Sequence, residues 1–414
     1  MSIEKSIGQD VVNADWKNKI ILFLASQTIS LFGSSLVQYA ISWYITLKTQ
    51  SGVMMTIAII CGFLPTFFLS PFAGVWADRY NRKTLIVMSD SIIALSTLGI
   101  AILFMMGYDA PWLLFVVSAV RALGTAVQTP AVGAFIPQLV PEDKLTKVNA
   151  VNSSIQSMIM LISPMLSGVL LTVATMETIF FIDVFTAAAA VLVLILFLHV
   201  PIHAKALEKQ NTSYFSDMHE GYRYIRNHRF VKKIFTYCGI FFILVAPIAF
   251  LTPLQVTRSF GSDVWRLTAI EIVFSGGMML GGIIMAFWGG FKNKIYTMIL
   301  STLVTGLGTF ALGVAPVFWI YMFFMALLGV FMPMFNTPFT VLLQQKVEED
   351  FLGRVFGVLS MISSIMMPLG MLVFGPVSDF IKIEWLLIGT GILMLIETVL
   401  MFVDKVLIDA GEPI

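Results

Sequence analysis

Long apolar runs alternate with short polar connections from one end of the chain to the other. A helix needs about 20 mostly apolar residues to cross the hydrocarbon core of a bilayer, and twelve runs meet that length within a few residues. The first six are Ile20–Leu47, Met54–Trp76, Thr84–Met106, Pro111–Phe135, Leu145–Thr172 and Ile179–Leu198. The second six are Ile234–Leu251, Leu267–Trp288, Ile295–Val314, Val317–Leu342, Val355–Val377 and Trp385–Phe402. The longest polar stretch, Val200–Lys233, parts them. The pattern predicts an all-α membrane protein of twelve transmembrane helices in two pseudo-symmetric six-helix bundles. The first covers residues 1–199 and the second, with its tail, residues 234–414. The loop 200–233 carries Tyr214, Phe215, Met218, Tyr222 and Ile225 at helical spacing, which predicts an amphipathic helix on the membrane surface.

Composition agrees: 58% of the 414 residues are apolar and 12% charged, about half the charged fraction of a soluble domain. A net charge of +1 gives no reason to expect nucleic acid. Cys61 and Cys238 lie in apolar runs and read as packing residues. Glu4, Asp10 and Asp15 near the start leave no basic, cleavable signal peptide to expect. Basic residues orient the chain, because they concentrate in cytoplasmic loops. With the N-terminus inside, twenty of the 25 Lys and Arg fall on the cytoplasmic side, and only Lys48, Arg258, Arg266 and Lys382 fall outside. Both termini are expected in the cytoplasm of a cell (inner) membrane protein.

The halves repeat each other. Gln128-Thr-Pro130 answers Asn336-Thr-Pro338, and Pro141–Val151 answers Glu348–Val358. Trp76-Ala-Asp78-Arg79-Tyr-Asn81-Arg82 answers Trp288-Gly-Gly290-Phe291-Lys-Asn293-Lys294. Repeats of this kind place one site at the bilayer midplane and rock around it.

Gly74-Val-Trp-Ala-Asp78-Arg79-Tyr-Asn81-Arg82-Lys83, between the second and third runs, resembles the loop motif Gly-x-x-x-Asp-Arg-x-Gly-Arg-Arg/Lys of the major facilitator superfamily. Asn81 replaces a glycine, and Asn is the next-best residue for a left-handed turn. The resemblance implies that Asp78 caps the N-terminus of the eleventh helix, entered at Gly353-Arg354. Gly74, Arg79, Arg82 and Lys83 would complete that cytoplasmic gate. Gly62-Phe-Leu-Pro65, Arg121–Pro130 and Leu139–Lys147 resemble the drug:proton antiporter branch that includes bacterial macrolide efflux proteins. That branch's helix-five pattern, Gly-Pro-x-x-Gly-Gly, is reduced here to Ser163-Pro164-Met-Leu-Ser-Gly168.

An ionisable residue inside a span costs at least about 2.5–3.5 kcal/mol and is a functional candidate by default. Arg121 lies within the fourth span, Asp183 in the sixth and Glu271 in the eighth, and these are the candidates for proton coupling. Their structural alternatives are backbone pairing for Arg121 and interfacial placement for the two acids. Asp90, near the cytoplasmic end of the third span, is expected to support the gate, and Glu397 to be structural. Asn149, Asn152 and Gln156 share a face of the fifth helix. With Gln38, Gln128 and Asn336 they are candidates to line a substrate cavity, or to join helices. His199, His203, His219 and His228 cluster around the central loop without metal-ligand spacing.

No nucleotide-binding loop or nucleophile motif is present, so the chain reads as a transporter and not an enzyme, with no cofactor or metal and a monomeric state. The expected partners are a small amphipathic drug, protons and lipid. The expected activity is proton-coupled export by alternating access. A transporter of an endogenous lipid, siderophore or metabolite is one alternative, and a non-transporting receptor or scaffold is another.

Overall fold

The computed structural model describes residues 2–141, 144–198 and 223–412, excepting the side chains of residues 2–15 and of scattered later positions, Asp78 and Arg354 among them. The first half comprises α1 (Ser2–Thr49), α2 (Gly52–Arg79), α3 (Arg82–Met105), α4 (Pro111–Leu139), α5 (Leu145–Val173) and α6 (Met176–Phe197). The second comprises α7 (Arg229–Ser259), α8 (Val264–Trp288), α9 (Lys294–Val314), α10 (Phe318–Lys346), α11 (Glu349–Val377), α12 (Ile383–Val403) and a short α13 (Lys405–Ala410). Among the described residues there is no strand, as expected where lipid offers backbone groups no partner. Eleven described helices are long and apolar enough to span a membrane, and α11 contributes the apolar stretch Ile365–Val377. The chain is a multi-pass membrane protein.

Several helices outrun their apolar stretches. Helix α2 continues to Arg79 and α3 begins at Arg82, because a helix satisfies its own backbone past the membrane edge. Of the amphipathic helix expected in the central loop, Tyr214, Phe215, Met218 and Tyr222 lie outside the described residues. Residues 223–227 form a helical turn in which Ile225 is buried.

Two compact units emerge, residues 1–41 with 61–211 and residues 42–60 with 212–414. The end of α1 and the start of α2 thus group with the second. Packing repeats between the units. In the first, α3 lies against α4 and α6; in the second, α9 lies against α10 and α12, the same pairing six helices on. In the second unit α8 also meets α10 closely. A Cβ on Gly277 would sit 2.2 Å from the Ala326 carbonyl oxygen, and one on Gly281 would sit 2.0 Å from that of Val330. Small residues four apart permit such an approach.

The loop between α2 and α3 differs from expectation in its physical reason. Asn81 has φ −62° and is not left-handed. It is the N-cap of α3, its side chain accepting from the Thr84 N–H. Asn293 caps α9 in the equivalent place, accepting from Ile295 N–H at 3.0 Å. The left-handed turn in that second loop falls on Gly289 and Gly290. Arg82 donates to the carbonyls of Ala77 and Ala134, at 2.9 and 2.8 Å. Lys83 donates to that of Leu198 at 2.8 Å. These two cations therefore satisfy carbonyls at the ends of α2, α4 and α6, where the helix dipoles favour positive charge.

Candidate functional site

Two polar layers run through the first unit, built by the same helices. Their spacing is readable: Asp90 and Thr97 lie seven apart on α3, Arg121 and Gln128 seven apart on α4, and Ser30 and Ser34 four apart on α1. Residues at those intervals share a helix face, and seven residues advance about 10 Å along it.

In one layer Asp183 of α6 pairs with Arg121 of α4, and both are buried, at 0% and 5% exposure. Arg121 Nη1 also meets Thr97 Oγ1, and its Nη2 donates to the Ser34 carbonyl at 3.0 Å. Ser34 Oγ donates to Asp183 Oδ1 at 3.0 Å, and Thr97 Oγ1 is 2.9 Å from Oδ2. Four helices therefore converge on one ion pair. Gly33 makes the convergence possible, because a Cβ there would lie 3.1 Å from the Asp183 Cα and 2.0 Å from Thr186 Oγ1.

In the other layer Asp90 Oδ1 accepts from Ser30 Oγ at 3.0 Å and Gln128 Nε2 at 2.6 Å. Gly124 brings α4 onto α3 here, since its Cβ would be 3.3 Å from the Ser89 carbonyl oxygen. Asp90 Oδ2 and Gln27 Nε2 are buried without a partner among the described residues. The two layers together hold two carboxylates and one cation. One buried negative charge is left unbalanced when both acids are ionised.

Among the described residues the second unit has no such pair. Setting Asn81 on Asn293 places Asp90 and Thr97 on Thr302 and Thr309; setting Pro130 on Pro338 places Arg121 on Gly329. Thr302 and Thr309 donate to carbonyls of their own helix, and Gly329 packs on the backbone of Phe274 and Gly277. Instead the unit holds a cavity of about 250 Å³. It is lined by Phe242, Phe274 and the methionines 278, 325, 332 and 367, with Glu271, Thr252 and Asn336 as its polar groups. Elsewhere in the unit both carboxylate oxygens of Glu397 are buried without a partner among the described residues.

Of the other residues singled out from sequence, Gln38, Asn149 and Gln156 are exposed and Asn152 half-buried on their helices. Gly74 and Arg79 lie at the end of α2. The side chains of Asp78 and Arg354 fall outside the described residues, so the gate pairing rests on the resemblance alone.

One cluster was not anticipated. At the opposite end of α2 from Asp78, Asp379 caps the helix start. Its Oδ1 accepts from Gly52 N–H at 2.7 Å, and its Oδ2 accepts from Val53 N–H at 3.0 Å and Ser51 Oγ at 2.8 Å. Arg258 adds an ion pair at 2.8 Å and also donates to the Ser378 and Gln50 carbonyls. Burial pushes the Asp379 carboxyl up, but these donors outweigh it and hold it below the usual carboxylate range. The only sequence signal was a negative one, the lack of any acid in the first turn of α2.

The Major Facilitator Superfamily profile matches residues 23–370 and again 265–407. The chain belongs to the Major Facilitator Superfamily. It is 29% identical over 398 residues to macrolide efflux protein A of Streptococcus pyogenes, covering 95% of this chain and 97% of that protein. It is 24% identical over 367 residues to the staphyloferrin A transporter of Staphylococcus aureus, covering 86% and 89%. Its fold matches a mutant form of the nucleoside transporter NupG with TM-score 0.70, at 16% identity over 94% of this chain and 100% of that one. This superfamily member is a membrane transporter of small molecules.

Proposed function

We propose that the protein exports macrolide-like or other amphipathic drugs across the cell membrane in exchange for protons, by alternating access, with both termini in the cytoplasm. The observation that carries this reading is that the two polar layers of the first unit bury two carboxylates and one arginine. Arg121 balances Asp183 directly, so Asp90 is the acid whose charge has no counter-ion. Proton uptake at Asp90 takes the cluster from one net negative charge to none. Such a change of charge inside a low-dielectric bundle is large enough to bias one packing of helices over another.

In this reading the drug meets the polar residues Gln38, Asn149, Asn152 and Gln156. The cytoplasmic gate is formed by Gly74, Asp78, Arg79, Arg82, Lys83 and Arg354, as the superfamily motif implies. Inward proton flow supplies roughly 2.3 kcal/mol per charge per 100 mV and about 1.4 kcal/mol per pH unit. The likeness to macrolide efflux protein A over nearly the whole of both chains supports the substrate class.

Accumulation of radiolabelled macrolide in expressing cells tests this reading. Expressing cells retain less drug than empty cells, and a protonophore abolishes the difference. Equal retention for every drug tried overturns it. The likeness to a staphyloferrin A transporter supports a second reading, export of an endogenous solute. A changed extracellular metabolite profile with unchanged drug retention favours that one.

A further inference from the structure

Within the second unit, Glu271 opens into a cavity that offers it no counter-ion. The structure gives it no hydrogen bond or ion pair among the described residues, and every lysine and arginine of α7–α12 lies near a helix end. The basic residue closest in sequence, Arg266, is engaged by Asp263 at 3.0 Å and by the Phe260 carbonyl. A carboxylate in an apolar wall is costly unless a cation meets it. The walls suit a particular cation. Methionine sulfurs and phenylalanine faces attract soft, partly desolvated positive charge, while few acceptors are on hand for the three N–H bonds of a primary ammonium. The volume, about 250 Å³, falls short of the roughly 300–1,000 Å³ of pockets that hold whole drug-sized ligands.

We propose that this cavity is a binding subsite for the alkylated ammonium group of an amphipathic cation, with Glu271 as its counter-ion and Asn336 beside it. It receives the amine-bearing arm of a larger molecule, or a small lipophilic cation entire. Glu271 is thereby a substrate-reading group, and the coupling proton is left to the first unit. The close seam of Gly277 and Gly281 on α10 holds Glu271 and Asn336 on facing helices of one wall. The inference rests on the drug-export reading for its biological meaning, but its site is tested without transport.

The experiment is equilibrium binding to the full chain in nanodiscs, with no proton gradient. The probes are benzyltrimethylammonium, whose charge does not titrate, and neopentylbenzene, its neutral analogue of the same size. Glu271→Gln is expected to weaken the cation by about 30-fold or more, the scale for removing one partner of a desolvated charge pair. Binding of the neutral probe should stay within about twofold, and Glu271→Asp should keep most of the cation affinity. Met332→Trp, which fills the cavity, should remove both probes while the melting transition confirms folding. Unchanged cation binding in a folded Glu271→Gln variant, or no cation binding by the wild type, overturns the proposal. So does a variant that binds normally but has lost proton flux, because Glu271 is then a proton carrier. Failure of the export reading shows itself separately, as macrolide retention indifferent to a protonophore.

Discussion

The cores of the two units are the same assembly of helices filled with different chemistry. Helices α3, α4 and α6 of the first unit enclose Asp90, Arg121 and Asp183, whereas α9, α10 and α12 of the second present Thr302, Gly329 and Thr309 at the matching positions of α9 and α10. Threonine hydroxyls satisfied by their own helix need no charged partner from a neighbour, and that core is joined by close packing and by Ser301 Oγ donating to the Phe331 carbonyl at 2.6 Å. The charged core holds together only while its members stay paired. The repeat thus gives a common geometry, and the substitutions within it divide the work: a buried ion pair in one half, and in the other a frame without a buried pair among the described residues, in which the acid Glu397 stands without a partner.

The sharpest way to break this contrast is to remove one charge. Arg121→Ala leaves Asp183 buried beside two hydroxyls and should cost about 3–5 kcal/mol. It should lower the melting temperature strongly and abolish transport. Thr309→Val in the second unit deletes a bond to the Thr305 carbonyl and should cost only about 0.5–1.5 kcal/mol. Equal losses in thermal unfolding would mean the two cores do not differ in kind. Asp183→Asn placed on Arg121→Ala should recover part of the loss, since the residual uncompensated charge is gone.

Asp90→Asn separates coupling from folding. The amide keeps an acceptor for Ser30 and Gln128, so stability should change by less than about 1 kcal/mol. Drug efflux driven by a pH gradient should fall to background, while exchange of drug for drug across vesicles continues. Efflux that still follows the gradient in this variant removes Asp90 from the coupling path.

Much of this was legible from the chain. Apolar length gave the helices, and the cost of ionisable groups in lipid singled out Arg121 and Asp183. Their pairing was not legible, because 62 residues separate them and their meeting depends on the close approach of α1 to α6 at Gly33 and of α4 to α3 at Gly124. The seven-residue spacing on α3 and α4 was the available signal, and it would also have set Asp90 on the face that carries Thr97. Glu271 could be seen as costly, but not that α8 and α10 leave a cavity at its head. The Asp379 cluster was invisible for another reason: a loop acid acquires meaning only from the helix start it meets in space.

The close packing of the second unit has its own test at the α8–α10 seam. Gly277→Ala drives a Cβ against the Ala326 backbone, which cannot swing aside, and should cost about 1–3 kcal/mol. The same change at Gly133, where a Cβ meets nothing within 4 Å, serves as the control and should leave the melting temperature unlowered or slightly raised, since Ala favours a helix over Gly.

The last contrast is with a strongly engaged carboxylate of the second unit that lies outside the spans. Asp379 is held below its ordinary value of 3.8 by the start of α2 and by Arg258. A group whose folded value is depressed contributes stability that is fully present above the unfolded value and lost as pH falls through the folded one. The contribution of this residue to melting should therefore be full and constant between about pH 8 and 5, above the ordinary carboxylate value of about 4. Below about pH 4 the contribution should fade. Asp379→Ala removes the cap and the exposed pair together, for about 1–2 kcal/mol at neutral pH. The gap between variant and wild type should narrow as the pH is lowered past 4. A gap that stays constant down to acid-induced unfolding would mean that Asp379 holds α2 by shape and not by charge.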